Sequence, residues 1–213
     1  FFIYSILLYT FIVLIGILIF FFVPKFGLLF FIFFSSFHFG EQHLGQNILN
    51  DKLITLKNIV FFSNPNSSMN DIRLKDSIIK NILYISYGST ILGLLFSLQW
   101  LDTHVIIYEI SELFISKNIM ELFFYTGFSV FFIISLFYKS LRSFLWIETV
   151  LIIFLGYFFS KASLLLSFSV YFVFWHSIPS ILDQLNFLYE KDNSRKIKYL
   201  LSSMPYWIMS ILG

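Results

Sequence analysis

The chain contains no cysteine and few charged residues. Of its 213 residues, 14 are basic and 12 are acidic, which gives a net charge of +2. The absence of cysteine excludes disulfides, thiolate metal sites and a cysteine nucleophile. So small a positive charge does not indicate a nucleic-acid partner. The polar residues that the chain does contain, including four histidines, therefore carry most of its possible chemistry.

Apolar residues make up most of the chain. Hydrophobic residues account for 58% and the mean hydropathy is +0.85, more than a soluble domain of this size can cover with polar surface. Because about 20 apolar residues cross a bilayer, the sequence predicts an all-α, polytopic integral membrane helical bundle of about six to seven spans. The predicted spans are 2–23, 27–47, 78–98, 119–138, 143–160, 163–189 and a truncated one from 198 onward.

The connections between the spans predict the topology. We interpret 1–213 as a single transmembrane domain and, since it does not begin with methionine, as a fragment. The segment 50–77 is predicted to be a polar cytoplasmic loop. The segment 99–118 is predicted to be an extracytoplasmic interfacial segment, too charged to span. Connections on one side hold eleven basic residues and those on the other hold three, which places the basic loops in the cytoplasm of a multi-pass plasma-membrane protein.

Two polar strings interrupt the apolar runs, FHFGEQHLG at 37–45 and FWHSIPSILDQ at 174–184. An ionisable side chain at the centre of a bilayer costs about 2.5–3.5 kcal/mol or more, so such residues are usually functional. Along the predicted spans, His38 and His176 lie about 17 Å and about 20 Å from the outer ends. This similar depth predicts one intramembrane site for a metal or for proton transfer. The alternative is that each ring hydrogen-bonds a carbonyl of a packed helix.

Carboxylate and amide side chains accompany these two histidines at similar depths. They are Glu41, Gln42, Asp183 and Glu148. A carboxylate about one helical turn from an imidazole ligand can orient the ring by accepting its other N–H. We therefore expect these four residues to support the ligands from behind, although Glu148 and Asp183 could instead extend toward the cytoplasmic surface.

The other two histidines have different predicted roles. His43 follows His38 by five residues, about 140° around an ideal helix. It can join the same metal only if the helix loosens near Gly40, which a glycine permits. His104 is expected to be an exposed interfacial residue.

A proline and several aromatic residues lie next to the histidines in the sequence. Pro179 removes a backbone hydrogen bond to Trp175 and predicts a distorted helix beside His176. Most of the 31 phenylalanines are interpreted as lipid-facing surface. Only the aromatic residues next to the histidines are expected to line a substrate site: Phe37, Phe39, Phe174 and Trp175.

The strings FHFGEQH and WHSIPSILDQ, in a chain of Phe-rich spans, resemble the Brp/Blh family of membrane carotene dioxygenases associated with microbial rhodopsins. The resemblance implies cleavage of the central double bond of beta-carotene by O2, giving two molecules of retinal at non-haem ferrous iron (Fe²⁺). It implies that His38 and His176 are iron ligands, with His43 a less certain third. The expected partners are a carotenoid, O2, the lipid bilayer and an opsin that receives the retinal.

The chain departs from this family at two points. The family usually opens with a span carrying a His-Gly…Asp motif, which has no counterpart here. Many members also have a histidine four residues after the late one, where this chain has Ser180. A complete set of iron ligands therefore cannot be counted from this sequence.

Two other function classes remain open. Other membrane mono-iron or di-iron oxidases usually show closely spaced HxxxH and HxxHH clusters, which this chain lacks. A non-enzymatic protein is the second class. It would be a proton-coupled transporter with His38, Glu41 and Asp183 as a relay, or an accessory protein in rhodopsin assembly. No internal repeat of the kind typical of transporters is evident.

Overall fold

A computed structural model describes residues 2–47, 69–137, 139–189 and 192–212. Helices account for most of these residues, and no strand occurs among them, as the all-α prediction requires. The helices are α1 Phe2–Phe22, α2 Pro24–Asn47, α3 Met69–Leu98, α4 Trp100–Ser111, α5 Lys117–Phe137, α6 Lys139–Lys161, α7 Leu164–Tyr171, a π-helix Phe172–Ser177, α8 Ile178–Tyr189 and α9 Asn193–Leu212.

Among the described residues, four helical segments are long and apolar enough to cross a bilayer. They are Ile78–Leu98, Lys117–Phe137, Phe144–Lys161 and Leu164–Tyr189, close to four of the predicted spans. α1 contains a shorter apolar stretch, Ile6–Phe22, and α2 and α9 form helices where the remaining spans are predicted. The chain is thus a helical membrane protein, and the count of six to seven spans stays a prediction.

The chain divides into two compact units, Phe1–Phe168 and Ser169–Gly213. In the first unit α3 is the central helix and packs against α2, α4, α5 and α6. Its segment Ile78–Leu98 is 72% buried, compared with 22% for the span in α5. Other helices leave much of their apolar surface uncovered by protein, as expected for helices surrounded by lipid.

Two glycines allow α2 and α3 to cross with their backbones in contact. A Cβ atom at Gly40 would overlap the carbonyl group of Tyr84, and one at Gly88 would overlap that of Ser36. Small residues at the interfaces of membrane helices permit this close approach, and Cα–H···O contacts recur in such places. The crossing holds the first polar string directly against α3.

α3 is joined to α5 and α6 by two further contacts. A Cβ atom at Gly127 of α5 would come within 2.9 Å of the Ser86 carbonyl oxygen of α3. Just after α3, the side-chain amide of Gln99 donates hydrogen bonds to the carbonyl oxygens of Phe159 and Ala162, the latter at 2.6 Å. These carbonyls lie at the end of α6, where the backbone acceptors have no partner within the helix. Gln99 therefore caps α6 from the turn between α3 and α4.

The predicted loop 50–77 ends where the membrane-crossing segment of α3 begins, since that segment starts at Ile78 as predicted. α3 begins at Met69, so residues 69–77 are helical, and residues 50–68 lie outside the described part of the chain. The prediction concerned the membrane-crossing segment, and the helix itself begins nine residues earlier than that segment.

The predicted interfacial segment 99–118 contains α4 and the start of α5. Thr103, Ile107 and Ser111 are buried and form one face at intervals of four residues. Asp102 and Glu109 are exposed. The exposed surface of α4 also carries large apolar residues such as Leu101 and Val105, so the amphipathic character and the extracytoplasmic position of this segment stay predictions.

His104 is half-buried rather than exposed. α4 ends at Glu112, which has a φ of 55° and a left-handed conformation. Beyond this turn, Phe114 lies with its ring edge-on to His104, at a centroid distance of 4.7 Å. The expectation of full exposure was wrong because the turn brings an aromatic side chain back over the helix.

In the second unit, the π-helix Phe172–Ser177 directly precedes α8. The backbone N–H of Ile178 donates to the carbonyl of Val173, five residues earlier. Pro179 has no N–H, and its ring would collide with the Trp175 carbonyl in a regular α-helix. A wider turn accommodates this conflict. The predicted distortion beside Pro179 is thus observed as a π-helix, an element that is frequent at functional sites.

Asp192 caps the amino end of α9. Its Oδ1 accepts hydrogen bonds from the Ser194 hydroxyl at 2.6 Å and from the Arg195 backbone N–H at 3.2 Å. Its Oδ2 lies 3.0 Å from Nε of Arg195. The Ser194 hydrogen bond, followed by that from the Arg195 backbone, lowers the pKa of Asp192 from its ordinary value, because both stabilise the ionised carboxylate.

Candidate functional site

α2 places the residues of the first polar string on two different faces. Gly40, His43 and Leu44 are buried, whereas His38 and Glu41 are exposed. This separation follows from the spacing of three to four residues along one helix face. α2 stays α-helical through Gly40. The loosening that would bring His43 and His38 to one metal is therefore not seen, and the third-ligand role of His43 stays a prediction.

A buried polar network joins α2, α3 and α6. Nε2 of His43 lies 3.0 Å from Oε2 of Glu148, and the Tyr87 hydroxyl donates to the same oxygen at 2.7 Å. An ionised carboxylate only accepts hydrogen bonds, which gives His43 the role of donor at Nε2. All three residues are at most 6% exposed. The three side chains therefore satisfy one another in a region from which water is excluded.

Aromatic contacts complete this network. The rings of His43 and Tyr87 stack at 4.6 Å with an interplanar angle of 20°. On α5, Phe131 packs edge-on against Tyr87 at 5.1 Å. A buried carboxylate is costly unless it is paired and hydrogen-bonded, and here four helices contribute to its surroundings. The network holds α2 in a defined position relative to α3, α5 and α6.

Sequence reasoning found two members of this network but not their arrangement. Glu148 was expected to lie behind His38 and His176, whereas its observed partners are His43 and Tyr87. Tyr87 was missed. The available signal was a phenol in the middle of an apolar span, since a buried tyrosine hydroxyl usually needs a hydrogen-bond partner.

The two predicted iron ligands belong to different units. His38 lies on α2 in the first unit, with its ring centroid 6.4 Å from that of Phe39. The backbone of His176 belongs to the π-helix of the second unit. The side chains of His176 and Asp183 lie outside the described residues. The predicted pairing of His38 with His176 and Asp183 therefore stays a prediction.

The described side chains do not form a complete metal site. Among them, no three histidine, aspartate or glutamate residues come together, and His43 with Glu148 makes only a pair. Imidazole nitrogen is nevertheless a donor that iron accepts. The imidazole nitrogen of His38 therefore suits iron, and the full set of ligands stays a prediction.

The remaining predicted residues lie in varied surroundings. Gln42 and Phe37 are half-buried. Phe39 is 8% exposed, whereas Phe174 is 58% exposed. Trp175 stacks on Tyr171 at 6.0 Å with an angle of 8°. Of the four aromatic residues expected to line a substrate site, Phe39 lines an apolar cavity in the first unit.

Three neighbouring apolar cavities occupy the first unit around α4. The central cavity, about 200 Å³, lies between α2, α3, α4 and the start of α7, and its lining includes Ser35, Phe39 and Thr103. The α5 cavity, about 280 Å³, lies between α2, α3, α4 and α5, and its lining includes Ser36 and Met120. The α7 cavity, about 550 Å³, lies between α3, α4 and residues 163–168.

Comparison with known proteins identifies the family of the chain. No curated protein and no solved structure matches it. The sequence model of one family, described as beta-carotene 15,15'-dioxygenase, matches residues 1–213. The match agrees with the resemblance carried by the two polar strings. The chain therefore belongs to the beta-carotene 15,15'-dioxygenase family.

Proposed function

We propose that the protein is a membrane dioxygenase that cleaves the central double bond of beta-carotene with O2 and releases two molecules of retinal. The family match over residues 1–213 carries this proposal. The apolar character of the helices supports this proposal, because a hydrophobic polyene reaches such a protein through the lipid bilayer. The apolar cavities of the first unit provide space of the required chemistry.

His38 and His176 are the proposed iron ligands. When bound, ferrous iron supplies the redox chemistry that lets O2 react with a polyene. The protein supplies position and dryness: apolar walls exclude water, and α2 presents His38 at a fixed height. The contact of His43 with Glu148 at 3.0 Å gives His43 the role of anchoring α2, in addition to its predicted but untested role as a third ligand.

The setting of the reaction is part of the same proposal. We assign the protein to the plasma membrane with its basic loops in the cytoplasm. Both beta-carotene and retinal dissolve in lipid, so entry and release between helices avoid water. An opsin is the proposed recipient of retinal.

The experiment is expression of the protein in cells that make beta-carotene. We expect loss of the yellow colour and the formation of retinal, measured by chromatography of extracted pigments. His38→Ala and His176→Ala should each lower retinal formation by about 100-fold or more. Mutation of a residue that only hydrogen-bonds to a metal ligand already lowers metal affinity or activity by about 10–100-fold. His104→Ala is the matched control and should keep its activity.

Two results would contradict the proposal. Persistence of colour, in cells that contain the folded protein and sufficient iron, would contradict the dioxygenase function. Undiminished cleavage by His38→Ala or His176→Ala would leave the function in place and refute the assignment of that ligand.

A further inference from the structure

The three cavities of the first unit meet at one side chain. Phe96, half-buried near the end of α3, lines the central cavity, the α5 cavity and the α7 cavity. The central cavity shares Ile32 and Ile107 with the α5 cavity. It shares Ile106 and Leu164 with the α7 cavity. The cavities therefore lie in series, with the central one in the middle and Phe96 at both junctions.

The walls of this series select an apolar occupant. Ser36, on the wall of the α5 cavity, donates its hydroxyl to the Ile32 carbonyl at 2.8 Å, so its hydrogen is already used within α2. Ser35 and Thr103 are the polar residues on the wall of the central cavity, Ser89 is a second one in the α5 cavity, and Asp102 and Ser163 line the α7 cavity. Apolar cavities of this kind stay free of water and accept hydrocarbon instead. A headgroup or a hydrated ion would find few partners along this path.

The position of the central cavity relates this path to the site on α2. Ser35, one turn before His38, and Phe39, directly after it, line the central cavity, whereas His38 itself is exposed and is not part of that lining. A ligand that extends through all three cavities has its middle here and its two ends in the outer cavities. This arrangement suits a long apolar molecule that reacts at its centre.

We propose that Phe96 is a specificity-determining residue, which sets the length of polyene accepted and the bond presented beside His38. This inference rests on the proposed function. A polyene with a ring at each end occupies the central cavity with its middle double bond and each outer cavity with one half. The Phe96 ring narrows both junctions and so keeps the polyene from sliding along the path.

Substitutions of Phe96 by larger and smaller residues give opposite, measurable effects. Phe96→Trp narrows the junctions and should lower kcat/KM for beta-carotene by about tenfold or more, since one methylene in an apolar pocket is worth about 10–200-fold. Cleavage of a shorter, one-ringed apocarotenal, which occupies the central cavity and one outer cavity and so passes one junction instead of two, should fall by less than about threefold. Phe96→Ala should release aldehydes of unequal chain length in addition to retinal.

Phe128 provides the matched control. It is half-buried on α5 between Phe124 and Phe132 and lines none of the three cavities. Phe128→Trp and Phe128→Ala should keep the wild-type ratio between the two substrates and yield retinal alone. Retention of beta-carotene by protein purified from chelator-treated membranes adds a reading of binding that does not depend on the reaction.

The outcomes separate this inference from the proposed function. If the wild-type protein neither cleaves nor retains beta-carotene, the proposed function fails. Suppose that the wild type cleaves beta-carotene, but both Phe96 variants show the same ratio of activities on the two substrates, and the same products, as the Phe128 variants. The role of Phe96 is then refuted. The role of Phe96 is also refuted if the Phe96 variants lose cleavage activity equally on both substrates. It is refuted as well if the purified protein holds phospholipid that beta-carotene does not displace.

Discussion

The buried network of His43, Tyr87 and Glu148 makes Glu148→Ala the most informative stability variant. The change removes the carboxylate that accepts a hydrogen bond from His43 at 3.0 Å and one from Tyr87 at 2.7 Å. Both of these buried side chains then lose this acceptor. Hydrogen bonds to a charged group contribute about 1.5–3 kcal/mol each, and breaking a buried pair costs about 3–5 kcal/mol. At about 2–4 °C per kcal/mol for a chain of this size, the melting temperature in nanodiscs should fall by about 6–20 °C.

Two further variants make the test specific. Glu148→Gln keeps an oxygen that the Tyr87 hydroxyl can reach, so its melting temperature should lie between those of Glu148→Ala and the wild type. Glu121→Gln is the control, because Glu121 pairs with Lys117 at 3.4 Å on an exposed helix surface. Such pairs contribute about 0.3–0.5 kcal/mol. If Glu148→Ala melts at the same temperature as Glu121→Gln, the network does not stabilise the fold and our reasoning is wrong.

The remaining predictions concern the helix crossing and the cap of α9. Gly40→Ala places a Cβ atom on the Tyr84 carbonyl and should destabilise the protein by about 1–3 kcal/mol or more. Gly16 has open space around it, so Gly16→Ala should be neutral or stabilising by up to about 1 kcal/mol. Equal melting temperatures of the two variants would contradict the close crossing. Because the pKa of Asp192 is lowered from 3.8, its cap should stabilise α9 above that pH and be lost as the pH falls through the lower, folded-state pKa. Hydrogen exchange in the first turn of α9, corrected for intrinsic rates, measures this, and protection that persists in acid would contradict it.

The sequence predicted the helices more successfully than it predicted their contacts. Apolar runs mark where a helix crosses lipid, which is why four predicted spans agree closely with helical segments. The start of α3 at Met69 was missed, since charged residues can continue a helix beyond the membrane. Hydropathy signals the surroundings of a residue and not the end of its hydrogen bonding.

The candidate site shows a second limit of sequence reasoning. Depth along a span placed Glu148 near the polar string of α2, which was useful. Depth does not say which faces of two helices meet, and His43 and Glu148 are separated by 105 residues. The face was decided by Gly40 and Gly88, whose missing side chains determine how α2 lies on α3. Such packing depends on pairs of distant residues, which one sequence does not reveal.

The crossing of α2 and α3 also has a mechanical consequence. Where two backbones touch without intervening side chains, there are no flexible groups to yield, so the helix pair is stiff against sliding and rotation. We expect α2 and α3 to move as one rigid body when an oily ligand enters. The opening motion then falls to α4, a twelve-residue helix whose contact face is Thr103, Ile107 and Ser111. We therefore expect the short helix α4 to move while the crossing of α2 and α3 keeps its geometry.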